Sequence, residues 1–303
     1  MKVRARLAAV ALAGALTTGL LAAPTQAAPS APQAKAAVKD KNLSEEFTGA
    51  TLAPRWAVFV GPGEAGKSIA NYTADSVKQS GGKLSITTAR RCDSVTGPIR
   101  NKCANPVYTS GRIDSTWAAL PKGNFRIAFR AKLPDKPLQG TRWALWLKND
   151  QPYCANGSNV NQGEVDVLEY YGKKAFRDQS YGVSHLSCTG NGSGADAYQD
   201  SNRVTFSQRG WHVWSVERRG GTLTYRVDAK VVGRTVCGEA ETAAVSKNRC
   251  KKILQETNWR FIIQGEVFSG DRAANDAKQA APLAGKAFPK QTMKVDWMRV
   301  YKL

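Results

Sequence analysis

Short segments in which apolar and polar residues alternate recur along most of the chain, and clusters of Gly, Pro, Asn and Asp separate them. Residues 124–133 are typical, because every second residue from Phe125 onward is apolar and the residues between are mostly basic. This two-residue period predicts a strand with one buried face. Ten segments predict strands: 83–88, 108–115, 124–133, 142–147, 164–170, 181–186, 212–218, 222–227, 260–267 and 293–301. The pattern indicates an all-β sandwich, with short helices only at 239–245 and 272–281.

The N-terminus differs in composition from the rest of the chain. Three basic residues precede an apolar stretch at residues 7–23, and small residues follow it, which is the pattern of a secretory signal peptide. We therefore predict a signal peptide at 1–27, a flexible leader rich in Ala, Pro and Lys at 28–42, and one domain at 43–303. No later segment is long and apolar enough to predict a membrane span. The protein is expected to be secreted and extracellular.

Six cysteines lie beyond the predicted signal peptide. An even number of cysteines in an exported protein favours disulfides over a metal site, and none of them lies in a CxxC motif. Sequence alone does not choose the pairing. Short connecting loops favour Cys92 with Cys103 and Cys237 with Cys250, which leaves Cys154 with Cys188.

The composition is strongly basic, with 44 Lys and Arg residues against 24 Asp and Glu residues and a formal net charge of +20. Such a charge favours association with anionic polymers but does not define a site. Zinc-finger spacing, a basic helix and aromatic RNA-binding signatures are all missing from the sequence, so specific nucleic-acid binding is not expected.

The segment Glu-Val-Asp-Val-Leu-Glu at residues 164–169 concentrates three acids in a chain that has few. On a strand, Glu164 and Asp166 project to one face, and strict alternation would turn Glu169 to the other. A β-bulge at Val167 or Leu168 would return Glu169 to the same face, and bulges are frequent beside active sites. The sequence therefore predicts a row of three carboxylates.

Neighbouring carboxylates repel, so at least one of them tends to hold a proton near neutral pH. A retaining glycosidase uses this condition, since it needs one ionised nucleophile and one protonated acid about 5 to 5.5 Å apart. Two alternatives are a solvated row of acids on an edge strand and a calcium site, although one flat strand does not wrap an ion as a calcium loop does.

The acidic segment resembles the ExDxxE signature of glycoside hydrolase family 16 in its bulged, laminarinase-like form. Further segments resemble the family in the same order, at 108–113, 143–146, 183–185 and 295–301. The resemblance implies a concanavalin A-like jelly-roll β-sandwich of two bent antiparallel sheets with a concave substrate cleft. It also implies that Glu164 is the nucleophile, Asp166 its assistant and Glu169 the acid/base.

Further candidates for substrate binding follow from position. Trp146 lies on the face of Ala144 and could stack on a sugar ring or belong to the core, whereas Trp143 is predicted to be a core residue. The resemblance places His185 one strand beyond the acids, where the family has a cleft histidine. It places Gln264 where the family often has a polar cleft residue, and Arg112 ranks with Gln264.

Three further features concern the substrate cleft and a metal site. Arg142 stands where glucan-cleaving relatives commonly have a stacking Trp, and its guanidinium could bind a carboxylate or sulfate group of the substrate. The long insertion at 149–162 is expected at the rim of the cleft. Glu46 and Asp296 fall where related sandwiches bind a structural calcium.

Together these observations predict a secreted, endo-acting glycoside hydrolase that cleaves a β-linked polysaccharide, with β-1,3-glucan or mixed-linkage β-glucan as the first choice, by a retaining double displacement. A monomer without an organic cofactor is expected, with a possible structural calcium. The alternatives are a relative acting on an anionic or galactan polysaccharide, a transglycosylase, a lectin-like polysaccharide-binding sandwich without turnover, and a basic cell-wall adhesion protein.

Overall fold

The fold is described from a computed structural model. It covers residues 37–63, 68–116, 118–121, 123–136, 138–149, 163–172, 179–185, 199–205, 210–237, 254–268 and 287–303. Within these ranges the chain is almost entirely β, with one 3-10 turn at Ala74–Ser76. No helix in the described ranges is long and apolar enough to cross a membrane.

Nineteen strands form in the described residues. In chain order they are β1 (Val38–Glu45), β2 (Trp56–Val58), β3 (Gly61–Pro62), β4 (Ala70–Tyr72), β5 (Val77–Ser80), β6 (Lys83–Cys92), β7 (Pro106–Ser110), β8 (Arg112–Ser115), β9 (Ala118–Ala119), β10 (Phe125–Lys132), β11 (Thr141–Asn149), β12 (Glu164–Tyr171), β13 (Gln179–His185), β14 (Gln199–Thr205), β15 (His212–Arg219), β16 (Thr222–Val227), β17 (Lys230–Val236), β18 (Asn258–Val267) and β19 (Gln291–Lys302).

The strands form two sheets that are antiparallel except for the β4–β7 pair. The large sheet has the order β17-β16-β15-β10-β19-β6-β7-β4-β3, with β1 on β19 and β5 on β6. The small sheet has the order β14-β13-β12-β11-β18-β8-β2, with β9 on β18. Strands distant in sequence are therefore neighbours, and the predicted acidic strand β12 lies inside the small sheet.

The core lies between the two sheets and takes one face of each. Phe125, Ile127 and Phe129 of β10 belong to it, as do Trp143 and Leu145 of β11. The alternation along residues 124–133 is thus explained by burial of one face, as predicted. Trp143 is fully buried, which confirms its assignment to the core.

All ten predicted strands are present, and the all-β jelly-roll architecture is confirmed. The predicted strand at 108–115 is interrupted at Gly111, where a Cβ atom would lie 2.6 Å from the Ser76 carbonyl oxygen. Because the chain can pass so close to Ser76 only without a side chain, β7 ends there and β8 continues in the other sheet. Both predicted helices lie outside the described residues.

The first strand begins inside the predicted leader segment. Residues 38–42, which fall within the leader segment 28–42, belong to β1, and residues 38–40 pair with β19. Their backbone hydrogen bonds, together with an ion pair between Asp40 and Lys302 at 3.2 Å, hold a polar segment that has little to bury. The sheet therefore begins at Val38, before the predicted boundary at 43.

The cysteine pairing is settled only in part. Cys92 and Cys103 are free thiols joined by a hydrogen bond, so the first predicted pair is in contact but is not a disulfide in this structure. That hydrogen bond raises the pKa of the Cys92 thiol to about 11. Cys237 is disulfide-bonded. The remaining predicted pairs involve cysteines outside the described residues, and they stay predictions.

Candidate active site

The acidic strand β12 contains the predicted bulge. Leu145 of β11 pairs with Leu168, but the next residue, Trp146, pairs with Asp166, so Val167 has no partner of its own on β11. The register between β12 and β13 shifts at the same place. The bulge is therefore present where the sequence predicted it.

The bulge brings the three acids to one face of the small sheet. Their partners are alternate residues of β11, with Glu164 opposite Lys148, Asp166 opposite Trp146 and Glu169 opposite Ala144. Alternate residues of a strand project to the same side, and directly paired residues do so as well. The residues between them on β11 belong to the core, so all three carboxylates lie on the opposite side, which we call the site face.

The acids differ in exposure. Asp166 is 3% exposed and Glu169 is 7% exposed, whereas Glu164 is partly accessible. Val167 and Leu168 are both buried in the core, because the extra residue allows two successive apolar side chains to be buried there. The strand thus holds two buried carboxyl groups away from the hydrophobic core.

Glu169 is fixed by two donors. The Nη1 atom of Arg142 donates to its Oε1 atom at 2.7 Å, and the Tyr171 hydroxyl donates to the same oxygen at 3.0 Å. Burial raises the pKa of Tyr171 above its usual range, and the Glu169 charge adds to this, so the hydroxyl stays protonated and remains a donor.

Arg142 links Glu169 to a fourth carboxylate. Its Nε atom lies 2.5 Å from the Oε2 atom of Glu266, and its guanidinium lies 5.5 Å from the ring centre of Phe268. Burial alone would lower the pKa of Arg142, but Glu266 and then Glu169 raise it well above its usual value. The guanidinium predicted to bind a substrate anion is therefore held by two acids of the protein itself.

Glu266 and Tyr72 were not singled out from the sequence. Glu266 is 2% exposed and accepts a hydrogen bond from the Tyr72 hydroxyl at 3.2 Å. It lies on the site face because it pairs with Arg142 across β11 and β18. Its signal in the sequence is its place two residues after Gln264 on the same strand, since alternation gives the two the same face.

A second cluster extends the site face toward β8. Arg112 binds both oxygens of Asp114, at 2.6 and 2.8 Å, and its guanidinium lies 5.7 Å from the Trp146 ring and 5.0 Å from the Phe59 ring. Trp146 is only partly buried, which agrees with the cleft alternative rather than the core one. Phe59, at 39% exposed, is a further aromatic residue here that the sequence did not indicate.

Strand pairing in the small sheet places the two remaining predicted binding residues, Gln264 and His185, beside residues already described. Gln264 pairs with Ala144 on one side and with Arg112 on the other, so it shares their face. It is 2% exposed, and its Oε1 atom has no hydrogen-bond partner among the described residues. His185 pairs with Glu164 across β12 and β13. Its role stays a prediction.

The two predicted calcium ligands, Glu46 and Asp296, are both engaged by basic side chains. Glu46 accepts from Arg299 at 3.0 and 2.8 Å and forms an ion pair with Lys39, and Asp296 forms an ion pair with Arg130. The described residues contain no group of three side chains able to hold a metal ion. Calcium binding at these positions stays a prediction.

The two-sheet architecture is the jelly-roll fold of laminarinase catalytic domains. A laminarinase from Rhodothermus marinus has a TM-score of 0.66 and 23% identity, with 88% of this chain and 98% of that chain covered. The laminarinase catalytic domain from Thermotoga maritima MSB8 has a TM-score of 0.62 and 21% identity, with 88% and 99% covered. At these identities the likeness establishes the fold.

A third similar structure widens the chemistry found on this fold. It comes from work on human gut microbiota that express endo-acting O-glycanases to initiate mucin breakdown, and it has a TM-score of 0.62 and 21% identity, with 86% and 89% covered. No protein-family model and no curated protein sequence matches the chain.

Proposed function

We propose that the protein is a secreted, endo-acting glycoside hydrolase that cleaves β-1,3-glucan or mixed-linkage β-glucan with retention of configuration. One observation carries this proposal: the β12 bulge aligns Glu164, Asp166 and Glu169 on the site face of a laminarinase-type fold. A lectin-like sandwich would have no need to bury two of these acids beside a third.

In the proposed reaction, ionised Glu164 attacks the anomeric carbon while Glu169 gives its proton to the departing glycosidic oxygen. The bond to the leaving sugar breaks as the bond to Glu164 forms. In the second step the oxygen of a water molecule bonds to the anomeric carbon while the bond to Glu164 breaks, which frees Glu164 as a carboxylate, and Glu169 takes a proton from that water. Asp166, between the two on the same face, is suited to hold the Glu164 carboxylate through a shared proton.

Two candidate substrate-binding residues lie on the same site face. Trp146 offers an aromatic surface for the apolar side of a sugar ring, and Gln264 offers a buried acceptor for a hydroxyl group. We propose that no organic cofactor takes part and that the protein acts as a monomer.

A second candidate substrate is an anionic polysaccharide. Lys148 and Arg260 pair with each other on the site face, and Arg260 also lies 3.5 Å from Asp114. The net charge of +20 and the mucin-degrading structural relative agree with this alternative. Arg142 does not add to it, because its guanidinium is engaged by Glu169 and Glu266.

The test is release of reducing ends from laminarin, mixed-linkage glucan, agarose, carrageenan and hyaluronan, with Glu164→Gln as the blank. Release from a neutral β-glucan supports the first candidate, and release only from an anionic polymer supports the second. No release from any polymer, together with binding to one of them, would return the lectin-like alternative to first place. NMR of the first product formed then checks retention of the anomeric configuration.

A further inference from the structure

A chain of charged contacts crosses three strands of the small sheet and ends on Glu169. The Tyr72 hydroxyl contacts Glu266, Glu266 contacts Arg142, and Arg142 contacts Glu169, at 3.2, 2.5 and 2.7 Å. The side chains of Glu266, Arg142 and Glu169 are 3%, 19% and 9% exposed, respectively. Interactions in such a buried setting are screened much less than those at the surface.

An arginine beside an acid/base group creates a problem. A positive charge in contact with a carboxylate favours the ionised form, yet the group must hold a proton when it starts the reaction. Glu266 resolves this conflict, because its negative charge lies against the same guanidinium. Arg142 and Glu266 together carry no net charge, so Glu169 is held without being forced to ionise.

We propose that Arg142 and Glu266 are a positioning pair for Glu169, in which Arg142 fixes the carboxyl group and Glu266 neutralises the guanidinium so that Glu169 can keep its proton. This proposal rests on the proposed function for its catalytic meaning. Neither residue of the pair transfers the proton itself.

The geometry also distinguishes the two oxygens of Glu169. Arg142 and Tyr171 both donate to Oε1 of Glu169. In a protonated carboxyl group the carbonyl oxygen still accepts hydrogen bonds. Both contacts can therefore persist in the two protonation states, and Oε2 is left to carry the exchangeable proton.

Other titratable groups also face Glu169. Asp166 and Glu164 lie on the same strand face, and Tyr171 donates from β12. These groups are unchanged in the variants below, so they do not alter the direction of the expected shifts.

The test measures kcat/KM against pH, where the alkaline limb reports loss of the proton from the free enzyme's acid. Glu266→Gln leaves Arg142 uncompensated, so the limb should move down by about one pH unit. Arg142→Gln removes the positive charge, so the limb should move up by about as much. Arg142→Lys keeps the charge and should move it little. If Glu266→Gln does not fold, the contrast between the two Arg142 variants decides.

The matched control is Glu217→Gln. Glu217 is also a buried glutamate engaged by arginine, with Arg219 Nε at 2.6 Å, but it lies on the large sheet. Its substitution should leave the pH profile unchanged. Shifts of Glu266→Gln and Arg142→Gln in the same direction, or no shift in either, would overturn the proposal, since general damage to the site does not move the limb in opposite directions.

A second readout does not depend on turnover. In protein labelled with ¹³C at the glutamate carboxyl groups, the Glu169 resonance is identified by its loss in Glu169→Gln and is titrated in each variant. Opposite shifts of this titration support the positioning pair even if no polymer is hydrolysed. Hydrolysis without opposite shifts keeps the proposed function and rejects the pair.

Discussion

The outward faces of the two sheets carry similar residues but bury them to different extents. On the site face, Asp166, Glu169 and Glu266 are each less than a tenth exposed although they point away from the core. On the outward face of the large sheet, the side chains of Glu46 and Asp296 are 35% and 23% exposed. On both faces arginines pair with acids: Arg142 with Glu169 and Glu266 on the site face, and Arg299 and Arg130 with Glu46 and Asp296 on the large sheet.

The difference shows how a site can be located on a sheet that is polar on its outer side. Burying a carboxylate costs free energy unless charged and hydrogen-bonding partners compensate. On the large sheet Glu46 and Asp296 avoid much of this cost by remaining partly exposed, although Glu217 of the same sheet is buried. On the small sheet three acids are buried within reach of a bulge and a shared arginine, and this concentration marks the site.

The largest expected contrast between the faces is in turnover. Glu164→Gln should lower activity by a factor on the order of 10³ or more, because the proposed nucleophile is lost. Glu217→Gln on the large sheet should change activity by less than about twofold. Initial rates on the best substrate check this, with circular dichroism to confirm folding. Substantial residual activity of well-folded Glu164→Gln would rule out the nucleophile assignment.

The next contrast is in stability. Arg142→Ala removes one partner of a buried ionic cluster and should lower the free energy of unfolding by about 3–5 kcal/mol. Arg299→Ala removes a partly exposed partner of Glu46 and should cost about 0–1 kcal/mol. Urea denaturation at pH 7 measures both. Equal losses would contradict the idea that burial makes the charge cluster of the small sheet the more costly one to break.

Aromatic residues provide a smaller contrast. Trp146 lies on the site face and Trp297 on the outward face of the large sheet, and each lies within 6 Å of an arginine guanidinium. Trp146→Ala should raise KM about tenfold, which corresponds to about 1.4 kcal/mol of substrate binding. Trp297→Ala should leave KM unchanged. A KM shift in both variants would point to a general structural effect rather than to stacking on substrate.

The smallest expected effect concerns pH and Glu46. The hydrogen bonds from Arg299 lower the pKa of Glu46 from its usual 4.5 to about 2. A depressed pKa means that the stabilisation is present above the usual pKa and is lost as pH falls toward 2. Because Glu46 is partly exposed, solvent screening limits the contribution to about 1 kcal/mol or less.

Urea denaturation of the wild type and Glu46→Gln at pH 7 and pH 2.5 checks this expectation. The difference between the two proteins should be largest at pH 7 and shrink at pH 2.5. A constant difference would show that the Arg299 contact does not depend on ionised Glu46.

Much of the fold could be predicted from local pattern. The two-residue period that identified residues 124–133 reappears as β10, because burial of one face produces that period in any sheet. The bulge was predictable for a related reason, since three acids within residues 164–169 can share a face only if one residue is added. The short strands β2, β3, β4, β5 and β9 were missed, because two to four residues carry no readable period. The longer strands β1, β14 and β17 were missed as well, because polar and small residues interrupt their apolar positions.

The positioning pair could not be predicted. Arg142 and Glu266 are distant in the chain, and they meet because β18 lies beside β11 in an order that chain position does not show. Arg142 could be singled out from the sequence only as a departure from the family resemblance. Its engagement by two acids of the protein, rather than by substrate, depended on the register between strands.

The sequence by itself determined the β class, the core face of the main strands and the identity of the three acids, because each depends on residues close together along the chain. The tertiary structure alone decided which arginine holds Glu169, that Glu266 compensates it, and that Glu46 and Asp296 face arginines. These contacts join strands far apart in sequence, and their strength depends on a burial that arises only when the two sheets pack.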